Sequence, residues 1–166
     1  MKITNGRLIV FEERKYEAKP KVATIRKGSK NIIGIPRFQR NSKDVYKDCE
    51  ITYFDPKTDE TYVGYFSAPN VTEIGHTLRL RERFNSAYDD MSLNRKTAAR
   101  LREKNKNEFQ CSMDMTGDLI YLAGVNVDIE GWQRLDGKYH IANCRHTIEN
   151  GGYSASLGMR RCLEGH

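Results

Sequence analysis

Long hydrophobic runs are missing from this sequence of 166 residues. The longest, around Leu119 to Val125, falls far short of the ~20 residues that a membrane-crossing helix needs. No apolar stretch follows Met1-Lys2, so the chain reads as soluble and without a visible export signal. Cysteine is sparse. Cys49, Cys111, Cys144 and Cys162 are scattered, with no Cys-x-x-Cys pair and no dense framework of the secreted type. They read as reduced thiols, most of them small core residues. Catalytic signatures are also missing: there is no Gly-x-Ser-x-Gly elbow, no His-Glu-x-x-His helix and no phosphate-binding Gly-x-x-x-x-Gly-Lys-Ser/Thr loop. No enzyme activity, catalytic residue, cofactor or metal is expected.

What is present is charge of one sign and β-strand patterning. Lys and Arg number 28 against 22 Asp and Glu, and the pI near 9.1 points to an acidic partner, whether nucleic acid, lipid headgroups or an acidic protein face. A hydrophobic share of 38% with 10% aromatic is adequate for a β-rich domain. A chain of this size buries about 70% of its unfolded surface, enough for a core.

In chain order, Gly6 to Glu13 is rich in β-formers, and the Lys/Glu-heavy run to Pro20 after it cannot bury itself. Val22 to Ile25 reads as a short strand. The stretch from Arg26 to Asp44 is basic and irregular, an exposed connection with at most a brief strand at Ile32 to Ile35. From Val45 to Phe66 comes a hairpin in which Cys49, Ile51 and Tyr53 alternate with Asp48, Glu50 and Thr52, turning at Asp55 to Glu60. Pro69-Asn70 breaks the sheet. Thr77 to Arg81 then forms a strand with leucines on one face and arginines on the other.

One segment reads as a long helix, from about Ala87 to about Lys104, with Ser86 and Asp89 as a capping box and Ala87, Met91, Ala98 and Leu101 as its apolar stripe. Arg95, Lys96, Arg100, Arg102, Lys104 and Lys106 stand against Glu103 alone, so most of the net charge gathers here. Those basic residues are the candidate partner-binding site; a solvated helix face is the plainer alternative. Phe109 to Met115 alternates without a fault, placing Phe109, Cys111, Met113 and Met115 toward the core.

Three alternating runs close the chain: Val125, Val127 and Ile129; Tyr139 and Ile141; Tyr153, Ala155, Leu157 and Met159. Asp136-Gly137 and Asn150-Gly151-Gly152 supply the positive φ angles of tight hairpins, so the runs form a β-meander. His140, Cys144 and His146 share a face if their strand is regular. Same-face side chains stand roughly 7 Å apart along a strand, too far for one zinc ion with bonds of about 2.0–2.3 Å. The acids Asp48, Glu50, Asp55, Asp59 and Glu60 read as a solvated hairpin face.

The string Leu-x-Ala-Gly-x-x-Val, then Asp136-Gly137-Lys138-Tyr139-x-Ile141, His146-x-Ile148, Gly152-Tyr153 and Leu157-x-x-Arg160-Arg161 resembles the C-terminal barrel of phage late control gene D proteins. These are tail baseplate hub proteins of contractile-tailed phages, related in fold to the hub portion of the type VI secretion spike. The resemblance implies an α+β, mostly β fold: an antiparallel barrel-like sheet with one main helix. It implies a single tube-like hub domain over 1–166, with strands in 6–83, the helix at about 87–104 and the closing meander in 108–162. It further implies a virion structural protein of the tail baseplate, made in the host cytoplasm. Such a protein forms a homo-oligomer, with a trimer favoured, and docks on tail tube and spike proteins, with no specific nucleic acid and no membrane among its partners. The sequence departs from the family at Gly158 and Met159, where a Glu-Leu type pair is common. The alternative from charge and strand content is a small basic β-barrel that binds nucleic acid.

Overall fold

A computed structural model describes residues 2–4, 7–9, 12–43, 45–68, 79–84 and 90–163. In order come β1 (Lys2–Thr4), β2 (Arg7–Ile9), α1 (Glu13–Glu17), β3 (Lys21–Arg26), β4 (Ile32–Arg40), β5 (Asp48–Asp55), β6 (Glu60–Ser67), β7 (Arg79–Phe84), α2 (Asp90–Asn105), β8 (Phe109–Thr116), β9 (Asn126–Glu130), a 3-10 turn (Gln133–Leu135), β10 (Gly137–Glu149) and β11 (Gly152–Arg161). The fold is thus α+β and mostly β, with one main helix. The chain divides into two compact units, Met1–Gln39 with Phe109–Cys162, and Arg40–Glu108 with Leu163–His166. The Ser86–Asp89 cap, the Pro69-Asn70 break, the Thr77-Leu78 start of the arginine strand and the Ala87 and Met91 side chains lie outside the described residues.

The first unit is built on a six-stranded sheet in the order β3-β9-β10-β11-β8-β4, whose edges among the described residues are β3 and β4, so it is not closed. The β9-β10-β11 meander is antiparallel, as its alternation demands, but β3 joins β9 in parallel. Every strand but β4 sends buried side chains into one cluster: Ile25, Met113, Val127, Tyr139 and Leu157 among them. Ile32 and Phe38 of β4 pack against that cluster from the other edge. All six strands thus share one core on this face of the sheet, with Tyr121 and Trp132 of the connecting loops packed into or against it.

Three local structures depart from the sequence reading. β4 is a nine-residue strand, and it tolerates Pro36 because it is an edge that needs no second hydrogen-bonded neighbour. The Lys/Glu-rich run forms α1, whose buried residue Glu17 faces the Arg160 guanidinium. The Asp136-Gly137 pair is not a two-residue turn; the link from β9 to β10 runs over residues 131–136, with Gly131 at φ 94° and Gln133 at φ 61°. By contrast Asn150-Gly151 joins β10 to β11 directly, Glu149 pairing with Gly152.

The second unit is a three-stranded sheet, β6-β5-β7, with α2 on one face. Among the described side chains of α2, Leu93, Thr97, Leu101 and Asn105 are buried, one every four residues. Leu101 is buried as the expected stripe requires, but two polar residues join it: Thr97 donates its hydroxyl to the Leu93 carbonyl at 2.8 Å, and Asn105 pairs with both backbone groups of Tyr46 at 2.8 and 2.9 Å, so both are satisfied inside. Ala98 is only half-buried.

Cys49 and Cys111 are buried, and burial pushes their thiols up to about 11 and about 12. Native protein treated with a thiol reagent at pH 8 is expected to be labelled only at half-buried Cys144 and Cys162, and at all four cysteines once unfolded. Mass measurement of the adducts checks this; fast native labelling of Cys111 would refute the core assignment.

Candidate functional site

The helix that carries the basic cluster does not present it on one face. Successive residues are turned by about 100°, so Lys96 points well away from Arg95, and Arg100 away from Arg102. Arg95 is exposed. Lys96 lies over the Phe84 ring, 5.8 Å from its centre. Arg100 donates to Glu82 at 2.9 Å and to Glu103 at 2.6 Å, and holds the Glu103 carboxyl below its usual range. Arg102 and Lys104 are half-buried. Arg100 is therefore a tie between α2 and β7, and Arg95 and Lys96 are the exposed cations of the set.

A denser polar constellation, which sequence reasoning missed, stands on the outer face of the first unit's sheet. Register puts Asn126, His140 and Arg160 side by side on β9, β10 and β11. All three are buried. Asn126 Oδ1 meets His140 Nδ1 at 2.9 Å, while Asn126 Nδ2 donates to the carbonyls of Tyr16 and Lys19 at 2.8 and 2.9 Å. Lys138 Nζ donates to the Glu17 and Lys19 carbonyls at 2.7 and 2.6 Å. Arg160 faces Glu13 at 3.2 Å and Glu17 at 2.5 Å, the latter a charge contact without hydrogen-bond alignment. Together they receive the C-terminal end of α1, where the helix carbonyls concentrate partial negative charge.

The neighbouring Arg161 turns to the other side of its strand and holds the 131–136 link, donating to the carbonyls of Asp136 at 2.5 Å and Arg134 at 3.2 Å. Asp136 completes the link by accepting from the backbone N–H groups of Gly131 at 3.0 Å and Trp132 at 2.6 Å. Gly137 has φ 141°, so the backbone calls for glycine, and a Cβ there would also stand 3.0 Å from the Arg161 guanidinium and push it off the link. Trp132 packs on Phe38, ring centres 5.6 Å apart.

The expected row of His140, Cys144 and His146 is broken. A bulge between Ile141 and Asn143 reverses the alternation, so His140 lies under α1 while Cys144 faces the core side. Cys144 Sγ and His146 Nε2 both lie on the Tyr121 carbonyl, at 3.2 and 2.8 Å, and Tyr153 OH meets His146 Nδ1 at 2.8 Å. The His146 imidazole thus has a partner at each nitrogen. No group of three metal-capable side chains converges among the described residues. On the hairpin, Asp48 is not solvated: it is buried and receives Arg79 Nε at 2.7 Å.

No protein-family model matches the sequence, and no curated protein matches it. Solved structures do. The 43 kDa tail protein of prophage MuSo2 from Shewanella oneidensis superposes with a TM-score of 0.69 at 14% identity, over 87% of this chain and 46% of that one. The tail protein of Neisseria meningitidis MC58 gives 0.61 at 13% identity, over 87% and 45%. The fold is that of phage tail proteins. A prophage tail protein from Listeria monocytogenes EGD-e gives 0.54 at 11% identity, over 92% of this chain and 45% of that chain. The present chain therefore spans less than half the length of the tail proteins it matches.

Proposed function

We propose that this chain is a structural component of a phage or prophage tail, working in the baseplate hub as one domain of a ring that connects tail tube and spike. The carrying observation is the tail-protein fold, matched over 87% of the chain at a TM-score of 0.69. A building-block role also suits the way the buried polar side chains are used. Asn126, Lys138 and Arg160 bind this chain's own α1, and His140 is turned to Asn126. The proposed partners are further copies of the chain, with a trimer favoured, and the tube and spike proteins of the same tail; the site of action is the virion baseplate.

Arg95, an exposed cation of α2, is assigned to those partners, since charge complementarity fixes register between stacked rings. The test is native mass measurement of the chain alone and after co-expression with the tube and spike proteins of the same tail genes. Trimers and a complex with at least one partner are expected. A monomer that captures neither overturns the reading. Arg95→Ser is expected to weaken capture at an unchanged melting temperature, whereas Arg100→Ser, which loses a half-exposed ion pair, lowers stability by no more than about 1 kcal/mol.

A further inference from the structure

We propose that the sheet face of the second unit turned away from α2 is a docking surface for an acidic, aliphatic-bearing segment of another tail protein, with Arg83 as its anchor. The proposal rests on the tail-assembly reading for the source of that segment. Strand register sets three arginines in a ladder on this face: Arg79 beside Asp48, Arg81 beside Glu50 and Arg83 beside Thr52. The first two rungs carry their own counter-ions. Arg79 is held by Asp48 at 2.7 Å and Glu50 at 3.5 Å, and Arg81 reaches Glu50 at 3.6 Å. The third does not: its neighbours across the sheet are Thr52 and Val63, and among the described residues Arg83 forms no ion pair.

The surroundings of Arg83 are apolar and open. Val63 is 55% exposed and Phe54 52% exposed, both on this face. Beside them, at the end of the sheet, a cleft of about 700 Å³ has Thr52, Phe54, Pro56, Thr61 and Arg83 in its lining and reaches round to Phe84 on the other face. Asp55, the carboxylate at its rim, is engaged in the turn, accepting the Lys57 N–H at 2.9 Å. A planar guanidinium takes a carboxylate through two parallel hydrogen bonds, and it does so with most effect where a partner shields the pair from water. Exposed aliphatic and aromatic groups beside it supply the apolar area that such a partner covers. A peptide carboxylate suits the face better than a nucleic-acid backbone, because Arg83 offers a single unpaired cation beside the exposed apolar groups Val63 and Phe54, whereas a phosphate backbone binds through several cations and gains nothing from apolar cover.

The test uses a fluorescent peptide of alternating Glu and Leu, titrated with the full chain and followed by anisotropy. Binding is expected to weaken roughly tenfold or more in Arg83→Glu and in Val63→Asp, and to stay unchanged in Lys30→Ser on the first unit. Thermal melts establish that each variant is folded; both second-unit side chains are exposed, so wild-type melting is expected. Equal binding by Arg83→Glu, no binding by the wild type, or tighter binding of oligothymidine than of the peptide would each overturn the proposal. Oligomer formation and capture of tube or spike protein by the wild type are scored separately. Their loss refutes the tail reading, whereas their presence together with an indifferent Arg83→Glu refutes this surface alone.

Discussion

Arg160→Met is expected to destabilise the first unit by about 3–5 kcal/mol, the range for removing one partner of a buried ion pair. The side chains of Arg160 and Glu17 are 8% and 4% exposed, so the carboxylate would remain buried after its cation had gone. Methionine fills much of the volume of the arginine stem, which isolates the charge from the packing. The double variant Arg160→Met with Glu17→Gln is expected to recover a large part of the loss, since it removes both charges. Because the contacts converge on α1, the damage should begin there: amide exchange over residues 13–17 speeds up before that of β10 and β11. If the single variant melts with the wild type and α1 keeps its protection, the polar row is not what holds the helix.

Gly64→Val is expected to cost the second unit about 2–3 kcal/mol, through overpacking. α2 crosses β6 at Gly64, where even a Cβ would lie 2.5 Å from Thr97 Oγ1, 2.8 Å from Leu93 Cγ and 3.2 Å from the Leu93 backbone carbonyl carbon. The backbone contact cannot be relieved by a rotamer change. The helix must lift, and the buried Leu93 and Leu101 then lose packing. Gly151→Ala is the matched control, because nothing lies within 4 Å of a Cβ there. Denaturant melts of the two variants should separate clearly; coincident curves would mean that α2 does not rest on Gly64.

Local patterns were readable where one energetic term dominates. Phe109 to Met115 alternates because β8 has one wet face, and Cys111, Met113 and Met115 are buried as the period demands. The meander could be read for the same reason. α2 misled at its inner face because Thr97 and Asn105 satisfy their own polar groups, a fact of tertiary position that composition does not carry. The α1 anchor was hidden more deeply. Lys138 and Arg160 look like solvent-facing residues of two strands, and only the register that aligns Asn126, His140 and Arg160 turns them into a receptor for distant carbonyls and carboxylates. The bulge at Ala142 leaves no mark in the pattern of hydrophobic residues, yet it parts His140 from Cys144. The motif string that runs from Leu122 to Arg161 contains Asp136, Gly137, Lys138, Arg160 and Arg161, and in this fold those residues clasp α1 and the 131–136 link.

The parallel pairing of β3 with β9 also sets an order of events during synthesis. Ile25 finds its place beside Ile129, and the intervening residues 40–108 make up the second unit. At translation rates of about 5–20 residues per second, β3 waits roughly 5–20 s for its partner strand to leave the ribosome. Residues 40–108 emerge whole in that interval and can collapse first, with contacts of short sequence span. The nascent N-terminal segment meanwhile carries an unpaired strand with Ile25 uncovered, the condition in which chaperones bind and chains aggregate. Slow codons within 40–108 would lengthen that exposure without altering a single contact of the finished protein.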